Sequence, residues 1–428
     1  MQTNIASIPA NGIRFTAYLF LKTFVLPMVI LFPFLVTSCD IFDPGDNPPK
    51  PIEMNKKAAE IIDAGEQFAF DLFHQTCSLS TEENIMISPL SVSYALGMTY
   101  NGAADSTLEA FKEVLHFGEL TNQEVNETYK DLMGQLVHLD DDVEFSIANS
   151  IWYRLGANVL EEFITTNQEY FDAAIRELDF SDPKSVDIIN DWIAGKTNDK
   201  IQDMLDFIPP DVYMYLVNAI YFNATWKYEF DKDDTYSGTF YKEDETTSQA
   251  DFMKLKGDFY YTSHSGYSAV ELPYGDSAFS MVALLPAEGS TLSELIAMLD
   301  METWKARSTF SSPQEVQVEL PKFKYEFKIL MNDHLSNLGL GVAFGGGADF
   351  SRITEETDLF ISRVIHQTFI DVSEEGTEAA AATIVELRET SIQIPETIRF
   401  NRPFLYIIKE NSTGAIMFMG KVGNPQAG

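Results

Sequence analysis

The sequence predicts an α+β protein built as one large domain. Three observations carry this. Segments with apolar residues at helical spacing crowd the first half of the chain, and segments of strand character crowd the second. The 45% hydrophobic and 13% aromatic content of the 428 residues supplies a sizeable core. From about Met54 onward there is neither an internal repeat nor an interior linker, so one domain is preferred to the roughly two or three that length alone allows.

The elements follow in order. Lys56 to Phe73 carries Ala59, Ile62, Ala64, Phe68, Phe70 and Leu72 at helical spacing and reads as a helix. Ser88-Pro89-Leu90 opens a second, Leu90 to Met98, because the fixed φ of proline suits a first turn. Thr107 to Leu115 and Asn122 to Leu136 are the next helices, and Val143 to Trp152 alternates as a strand does. Lys184 to Ala194 and Lys200 to Leu205 read as helical. Tyr213 to Phe222, YMYLVNAIYF, is nearly continuous apolar, as expected of a strand covered on both faces. VELPY and FSMVALL, within Val270 to Leu285, are two more strands, and Val316 to Phe327 is another. Phe404 to Lys409 and Ile416 to Val422 are strands around a turn at Asn411 to Gly414.

The N-terminus has the build of a targeting segment. Arg14 and Lys22 are the only charges before Asp40, and the apolar run TFVLPMVILFPFLVTS leads to Cys39. Residues 1–38 are therefore expected to be a signal peptide. LVTSC resembles the lipobox of bacterial lipoproteins, in which Cys39 is the acylated residue. The Pro/Asp-rich run after it reads as a flexible tether through residue 55, leaving 56–428 as the folded domain. Acyl chains on Cys39 would hold the protein to a membrane without a spanning helix. The expected location is a bacterial cell envelope, lipid-anchored to the outer membrane on its periplasmic or outer side. Secretion behind an ordinary signal peptide and a transmembrane anchor are the alternatives.

Little in the chain points to catalysis. The net charge of −36 argues against nucleic acid, whose phosphates need basic patches. The two cysteines, Cys39 and Cys77, make no disulfide framework, and Cys77 reads as a buried core thiol. There is no Walker A, HExxH or GxSxG motif. Gly339 to Gly347 is glycine-rich but lacks GxGxxG between a strand and a helix, so it reads as a loop. The histidines at 74, 116, 138, 264, 334 and 366 show no metal-ligand spacing. No cofactor or metal is implied, and an enzyme is disfavoured.

The stretch Glu374 to Thr397, EEGTEAAAATIVELRETSIQIPET, reads two ways. Ala379 to Ala382 are strong helix formers. Sorted by parity, however, Thr377, Ala379, Ala381, Thr383, Val385 and Leu387 are small or apolar, and the charges Glu378, Glu386 and Arg388 all fall between them. That is the period of a strand with one buried face, although alanine is depleted in strands. The residues alone leave surface helix, inert loop and strand open.

Seven segments, in order along the chain, resemble the serpin family. They are NIMISPLSVSYALGMTYNGA (84–103), NDWIAGKTNDKI (190–201), LVNAIYFNATW (216–226), ELPKFKYEF (319–327), GADFSRI (347–353), SRVIHQTFIDVSEEGTEAAAAT (362–383) and FNRPFLYIIKENSTGAIMFMGKVGNP (400–425). The resemblance implies the serpin fold, with three β-sheets, about nine helices and an exposed reactive-centre loop. It also implies a suicide inhibitor of serine proteases. The target cleaves the loop and forms an acyl-enzyme. The loop then inserts as a new strand in the largest sheet, carrying the protease to the far pole and distorting its active site.

On that reading the stretch is a loop before cleavage and a central strand after it. The implied hinge is Glu374, Glu375, Gly376, Thr377, Glu378, Ala379, Ala380, Ala381 and Ala382. Small inward residues enter a closing sheet without prying it apart, where a bulky or charged one would cost roughly 1–3 kcal/mol. Gly376 tolerates unusual backbone angles, and no proline interrupts Gly376 to Ile394. This favours an inhibitor over a non-inhibitory member acting as a binding module. The resemblance sets a polar shutter at Ser88, Ser91, Asn218 and His366, with a His366–Asn218 bond as its latch. It sets the breach, where the loop first enters, at Trp226, Lys322 and Glu374, with Lys322 and Glu374 as an ion pair. Family spacing puts the scissile bond at Thr390–Ser391, and the modest β-branched Thr390 suits elastase- or subtilisin-like pockets. The loop is slightly longer than in some members, so Ile392–Gln393 is an alternative. Arg388–Glu389, a trypsin-type site, is another. The expected partner is a serine protease in a covalent complex, with papain-like cysteine proteases as alternative targets, no nucleic acid, a membrane reached through Cys39, and a monomeric state.

Overall fold

The computed structural model describes residues 51–53, 56–263, 266–307, 313–356, 358–377 and 395–427. Helix α1 (Lys56–Leu79) runs one and a half turns beyond its predicted end at Phe73. Strand β1 (Asn84–Ile87) leads into α2 (Pro89–Tyr100). Ser88 is the N-cap of α2: its Oγ accepts the Ser91 N–H at 3.2 Å, and Pro89 opens the first turn. Next come α3 (Asp105–Val114) and α4 (Asn122–Leu136). A capping box between Thr121 and Glu124 fixes the start of α4, whose bounds match the predicted ones. Strand β2 (Val143–Arg154), α5 (Glu161–Phe171), β3 (Ala174–Leu178), α6 (Lys184–Lys196) and β4 (Met214–Thr225) follow. The seam α5 buries is only Phe163, Asn167 and Phe171, too narrow and polar to stand out in the sequence.

The second half is strand-rich, as expected. It holds β5 (Tyr236–Tyr241), β6 (Thr247–Ser263), β7 (Tyr267–Tyr274), β8 (Phe279–Pro286), α7 (Leu292–Met298), α8 (Met301–Arg307), β9 (Gln314–Pro321) and β10 (Phe323–Leu330). It ends with α9 (Asn332–Leu338), β11 (Ile365–Val372), β12 (Gly376–Thr377), β13 (Glu396–Arg399), β14 (Phe404–Glu410) and β15 (Ile416–Val422). Nine α-helices are present among the described residues.

Two expectations are corrected. Lys200 to Leu205 is not a helix. Asn198, Asp199 and Asp203 take positive φ values of 48°, 60° and 50°, which no helix accommodates. The segment is instead pinned to α6 by Asn190, whose side chain accepts the Leu205 N–H at 2.9 Å and donates to the Leu205 carbonyl at 2.8 Å. Val316 to Phe327 is two strands, not one. The break is at Lys322, whose N–H turns to the Asp251 carbonyl at 2.8 Å, and β9 and β10 enter different sheets. The apolar parity shifts across Pro321-Lys322, from Val316, Val318 and Leu320 to Phe323, Tyr325 and Phe327, so reading the two runs as one strand overlooked a change of phase.

The first sheet has the order β10-β11-β12-β4-β2-β3. The second, β1-β15-β14-β8-β7, continues into the third through one long strand. Phe252 to Phe259 of β6 pairs with β9, and Tyr260 to Ser263 pairs with β7. Strands β5 and β13 complete the third sheet. Along β4, Ile220, Phe222 and Ala224 face the main core, while Tyr215, Val217 and Ala219 face α6 with Ile189 and Ile193. Covering both faces explains its nearly unbroken apolar sequence. No helix among the described residues is long and apolar enough to cross a membrane.

A close approach locks the second sheet to the first. Gly420 on β15 stands opposite Tyr406 on β14, and a Cβ there would lie 2.3 Å from the Tyr406 ring. That ring is held by its hydroxyl, 2.8 Å from the Tyr325 hydroxyl of β10, which in turn donates to the Ile85 carbonyl at 3.0 Å. Gly420→Ala is expected to cost about 1–3 kcal/mol through overpacking. Urea titration should show it as a lower midpoint at unchanged slope.

Candidate functional site

Strand β12 is two residues long and sits between two longer strands. Thr377 stands opposite Val372 of β11 on one side and Ala224 of β4 on the other, and Gly376 stands opposite Thr225. Gly376 has φ +154°, and a Cβ there would fall 2.1 Å from the Ala224 carbonyl oxygen. Only glycine fits so close to a neighbouring main chain. Thr377 is buried, and its hydroxyl lies 2.7 Å from that of Tyr274. The Tyr274 ring is stacked on Trp226 at 4.4 Å between centroids.

Trp226 and its neighbours hold the residues just before this strand. The Trp226 indole N–H donates to the Ser373 carbonyl at 3.0 Å, and its backbone N–H to the Glu375 carbonyl at 2.9 Å. The Phe230 N–H donates to the Glu374 carbonyl at 3.0 Å. The Glu374 side chain is buried, with Lys322 Nζ at 2.8 Å from one carboxylate oxygen and the Thr235 hydroxyl donating to the other at 2.9 Å. Burial alone would raise its pKa. The hydrogen bonds from Lys322 and Thr235 outweigh it and hold the carboxyl below the usual range. Glu375 is held below its usual range chiefly by its contact with Lys232, and it also accepts from the Ser373 hydroxyl at 3.0 Å. The three breach residues predicted from sequence thus meet at one end of β12. Tyr274, Thr235 and Ser373 belong to the same cluster, and nothing in their local sequence marked them.

Beyond Thr377 the first sheet is joined differently. Among the described residues β4 and β11 pair only through β12. A small cavity lies beside Thr377, Ile220 and Thr368. A larger one of about 230 Å³ follows, lined by Ser91, Leu205, Leu216, Asn218 and His366 among others.

Of the predicted shutter residues Ser91, Asn218 and His366 line that cavity and Ser88 is bonded to His366 behind it, with a wiring that corrects the expected latch. His366 does not bond Asn218. Its Nε2 accepts the Ser88 backbone N–H at 3.0 Å, and the Ser88 hydroxyl donates to the Met417 carbonyl at 2.8 Å. Asn218 belongs to a second chain. Its Oδ1 accepts from the Ser91 hydroxyl, and its Nδ2 donates to Asn149 Oδ1 at 2.6 Å; Asn149 then donates to the Phe171 carbonyl at 2.6 Å. The geometric reason is the N-cap of α2. It presents the Ser88 N–H to the histidine and turns the Ser91 hydroxyl toward β4. Asn149 was missed, and its one signal was a polar side chain in the otherwise apolar series Val143, Phe145, Ile147 and Ile151 of β2.

The other expected site residues stand as follows. Cys77 is partly buried, and burial pushes its thiol up to about 12, so it is inert at neutral pH. Glu378, Ala379, Ala380, Ala381 and Ala382 of the hinge lie outside the described residues. So do Arg388, Glu389, Thr390, Ser391, Ile392 and Gln393 around the scissile bond, and Cys39. Three carboxylates, Asp140, Asp142 and Asp276, approach one another. The Asp140 oxygens already accept the Asp142 and Asp276 N–H groups at 3.0 Å, so the group acts as a turn clamp.

The buried histidine sets a pH dependence. Burial lowers the His366 imidazole from 6.5 to about 4, so it is neutral at pH 7 and its ring proton is on Nδ1. An unfolded chain takes up a proton there below about 6.5. Stability is therefore full above that pH and falls as pH drops toward 4, by up to about 3 kcal/mol from this group. His366→Gln should flatten the fall. Denaturation midpoints between pH 7 and 4.5 should change less in the variant than in the parent, and equal slopes would refute the assignment.

Comparison with known proteins agrees with this geometry. A family model described as Serpin (serine protease inhibitor) matches residues 63–425. An uncharacterized serpin-like protein of Methanosarcina acetivorans is 36% identical over 379 residues, covering 86% of this chain and 88% of the relative. Human Serpin I2 is 33% identical over 366 residues, covering 84% and 90%. Among solved structures, the thermophilic serpin tengpin in its native state superposes with a TM-score of 0.79 at 32% identity, covering 88% of this chain and 97% of tengpin. The chain belongs to the serpin family.

Proposed function

We propose that this protein is a suicide inhibitor of serine proteases that inserts its cleaved reactive-centre loop into the first sheet. One observation carries the reading. Gly376 and Thr377 already stand between β11 and β4, paired to both, and the sequence that follows puts Ala379, Ala381 and Thr383 at the inward positions. The protease serine attacks the Thr390 carbonyl. An ester forms, the amide to Ser391 breaks, and the proton of the serine hydroxyl leaves on the Ser391 amine. The freed strand then extends β12 down the gap. Trp226, Lys322 and Glu374 hold the point of entry, and the two hydrogen-bonded chains through Ser88–His366 and Ser91–Asn218 govern how the strands part.

Elastase- or subtilisin-like enzymes are the proposed targets, from the modest β-branched Thr390. The proposal extends to location: acylated Cys39 tethers the inhibitor to a bacterial outer membrane. What supports this is the apolar run before Cys39 and the Pro/Asp-rich tether after it.

The test is incubation of a chain lacking residues 1–39 with elastase-, subtilisin-, chymotrypsin-, trypsin- and papain-like proteases. A covalent complex on denaturing gels is expected with an elastase- or subtilisin-like enzyme, with a released fragment beginning at Ser391. Thr377→Arg should convert the inhibitor into a substrate, cut at the same bond without a complex, because the charge cannot follow Gly376 into the core. Undiminished trapping by that variant would sink the insertion reading. For the anchor, full-length protein in a bacterial host should incorporate labelled fatty acid, and Cys39→Ser should abolish the label.

A further inference from the structure

Two groups without a protein hydrogen-bond partner among the described residues line the larger cavity, Tyr215 buried and Arg363 exposed. Tyr215 on β4 is buried, and its hydroxyl makes no hydrogen bond. Buried donors are rarely left so, and one that is calls for an explanation. Arg363 lines the same cavity from the segment just before β11 and is exposed to solvent. Its guanidinium lies 4.8 Å from the centre of the Phe207 ring, and among the described residues no carboxylate pairs with it. The Arg363 charge is near enough to act on the Tyr215 hydroxyl, as is that of Asp211, which bonds neither of them.

The register of β12 says what arrives. Thr377 is opposed by Ala224 and Val372. With both antiparallel ladders continued, Glu386 lies as far beyond Thr377 as Tyr215 lies before Ala224 and Arg363 before Val372. Directly opposed residues have Cβ atoms about 5 Å apart. The separation is odd, so position 386 faces away from the main core, on the side where Tyr215 meets α6.

We propose that Tyr215 and Arg363 form a carboxylate receptor whose occupant is Glu386 of the chain's own cleaved loop, fastening the lower half of the inserted strand. The hydroxyl and the guanidinium both donate to the carboxylate, and such charge-assisted bonds are the stronger class. The inference rests on the insertion reading, yet it holds for each of the three candidate cleavage bonds, because Glu386 precedes them all. It assigns a fastening role to two residues far from the hinge.

The test compares intact and loop-cleaved protein by thermal unfolding at a fixed guanidinium concentration. Mass spectrometry first verifies that the cut falls after Glu386. The parent should gain heat resistance on cleavage. Glu386→Gln and Arg363→Met should each lower the cleaved midpoint by about 2–4 °C and leave the intact midpoint unchanged; Tyr215→Phe should do the same by less. Combining Glu386→Arg with Arg363→Glu should restore most of the loss, which a mere packing defect would not allow. Cleaved midpoints equal to the parent's would overturn the receptor and leave insertion standing. A parent that gains no heat resistance on cleavage would overturn both.

Discussion

The protein turns on a main-chain approach that only glycine permits. Gly376 lies against the Ala224 carbonyl, and this lets a two-residue strand enter between β4 and β11. Everything around it serves that entry. Trp226 holds the main chain of Ser373 and Glu375, the buried Glu374 carboxylate is met by Lys322 and Thr235, and Tyr274 receives the Thr377 hydroxyl. The entry point is thus fixed by directional bonds, whereas the gap below it is lined by α2, β4 and the segments that lead into β4 and β11. A strand that continues into the gap gains ladder bonds on both sides. Each contributes about 0.5–1.5 kcal/mol net, so driving force grows with every residue pair that enters.

The polar cluster under the sheet has a different character. Its members come from α2, β2, β4, β11 and β15, far apart in sequence. Ser88 and Ser91 at the start of α2 bond groups of β11, β15 and β4, and Asn218 carries the second chain on to β2. Because His366 is neutral and accepts from a backbone N–H, the tie to β11 involves no charge pair and responds little to salt. The Ser91–Asn218–Asn149 chain ties β4 and β2 to the same helix. The two arms meet at the α2 cap, where the Ser88 hydroxyl accepts the Ser91 N–H.

Local chemistry was legible in the sequence where one element decides it. The Ser88-Pro89 start of α2 and the double-faced burial of β4 were both visible there. What escaped were features decided between elements. The turn at Lys322 is set by Asp251 on another strand, and the irregular backbone of Lys200 to Leu205 is paid for by Asn190 on α6. Tyr274 and Asn149 look like ordinary core and strand residues until the sheets are assembled. The family resemblance brought Ser88, Ser91, Asn218 and His366 together, but which atom bonds which depended on the cap geometry of α2.

The stack of Trp226 on Tyr274 has one further consequence. The chain has four tryptophans, and Trp226 is the one whose indole N–H is bonded to the carbonyl of Ser373, three residues before the glycine. Indole emission depends on that bond and on the adjacent phenol. The protein therefore carries a built-in optical gauge beside β12, which on the proposed insertion would report the strand's extension without any attached label.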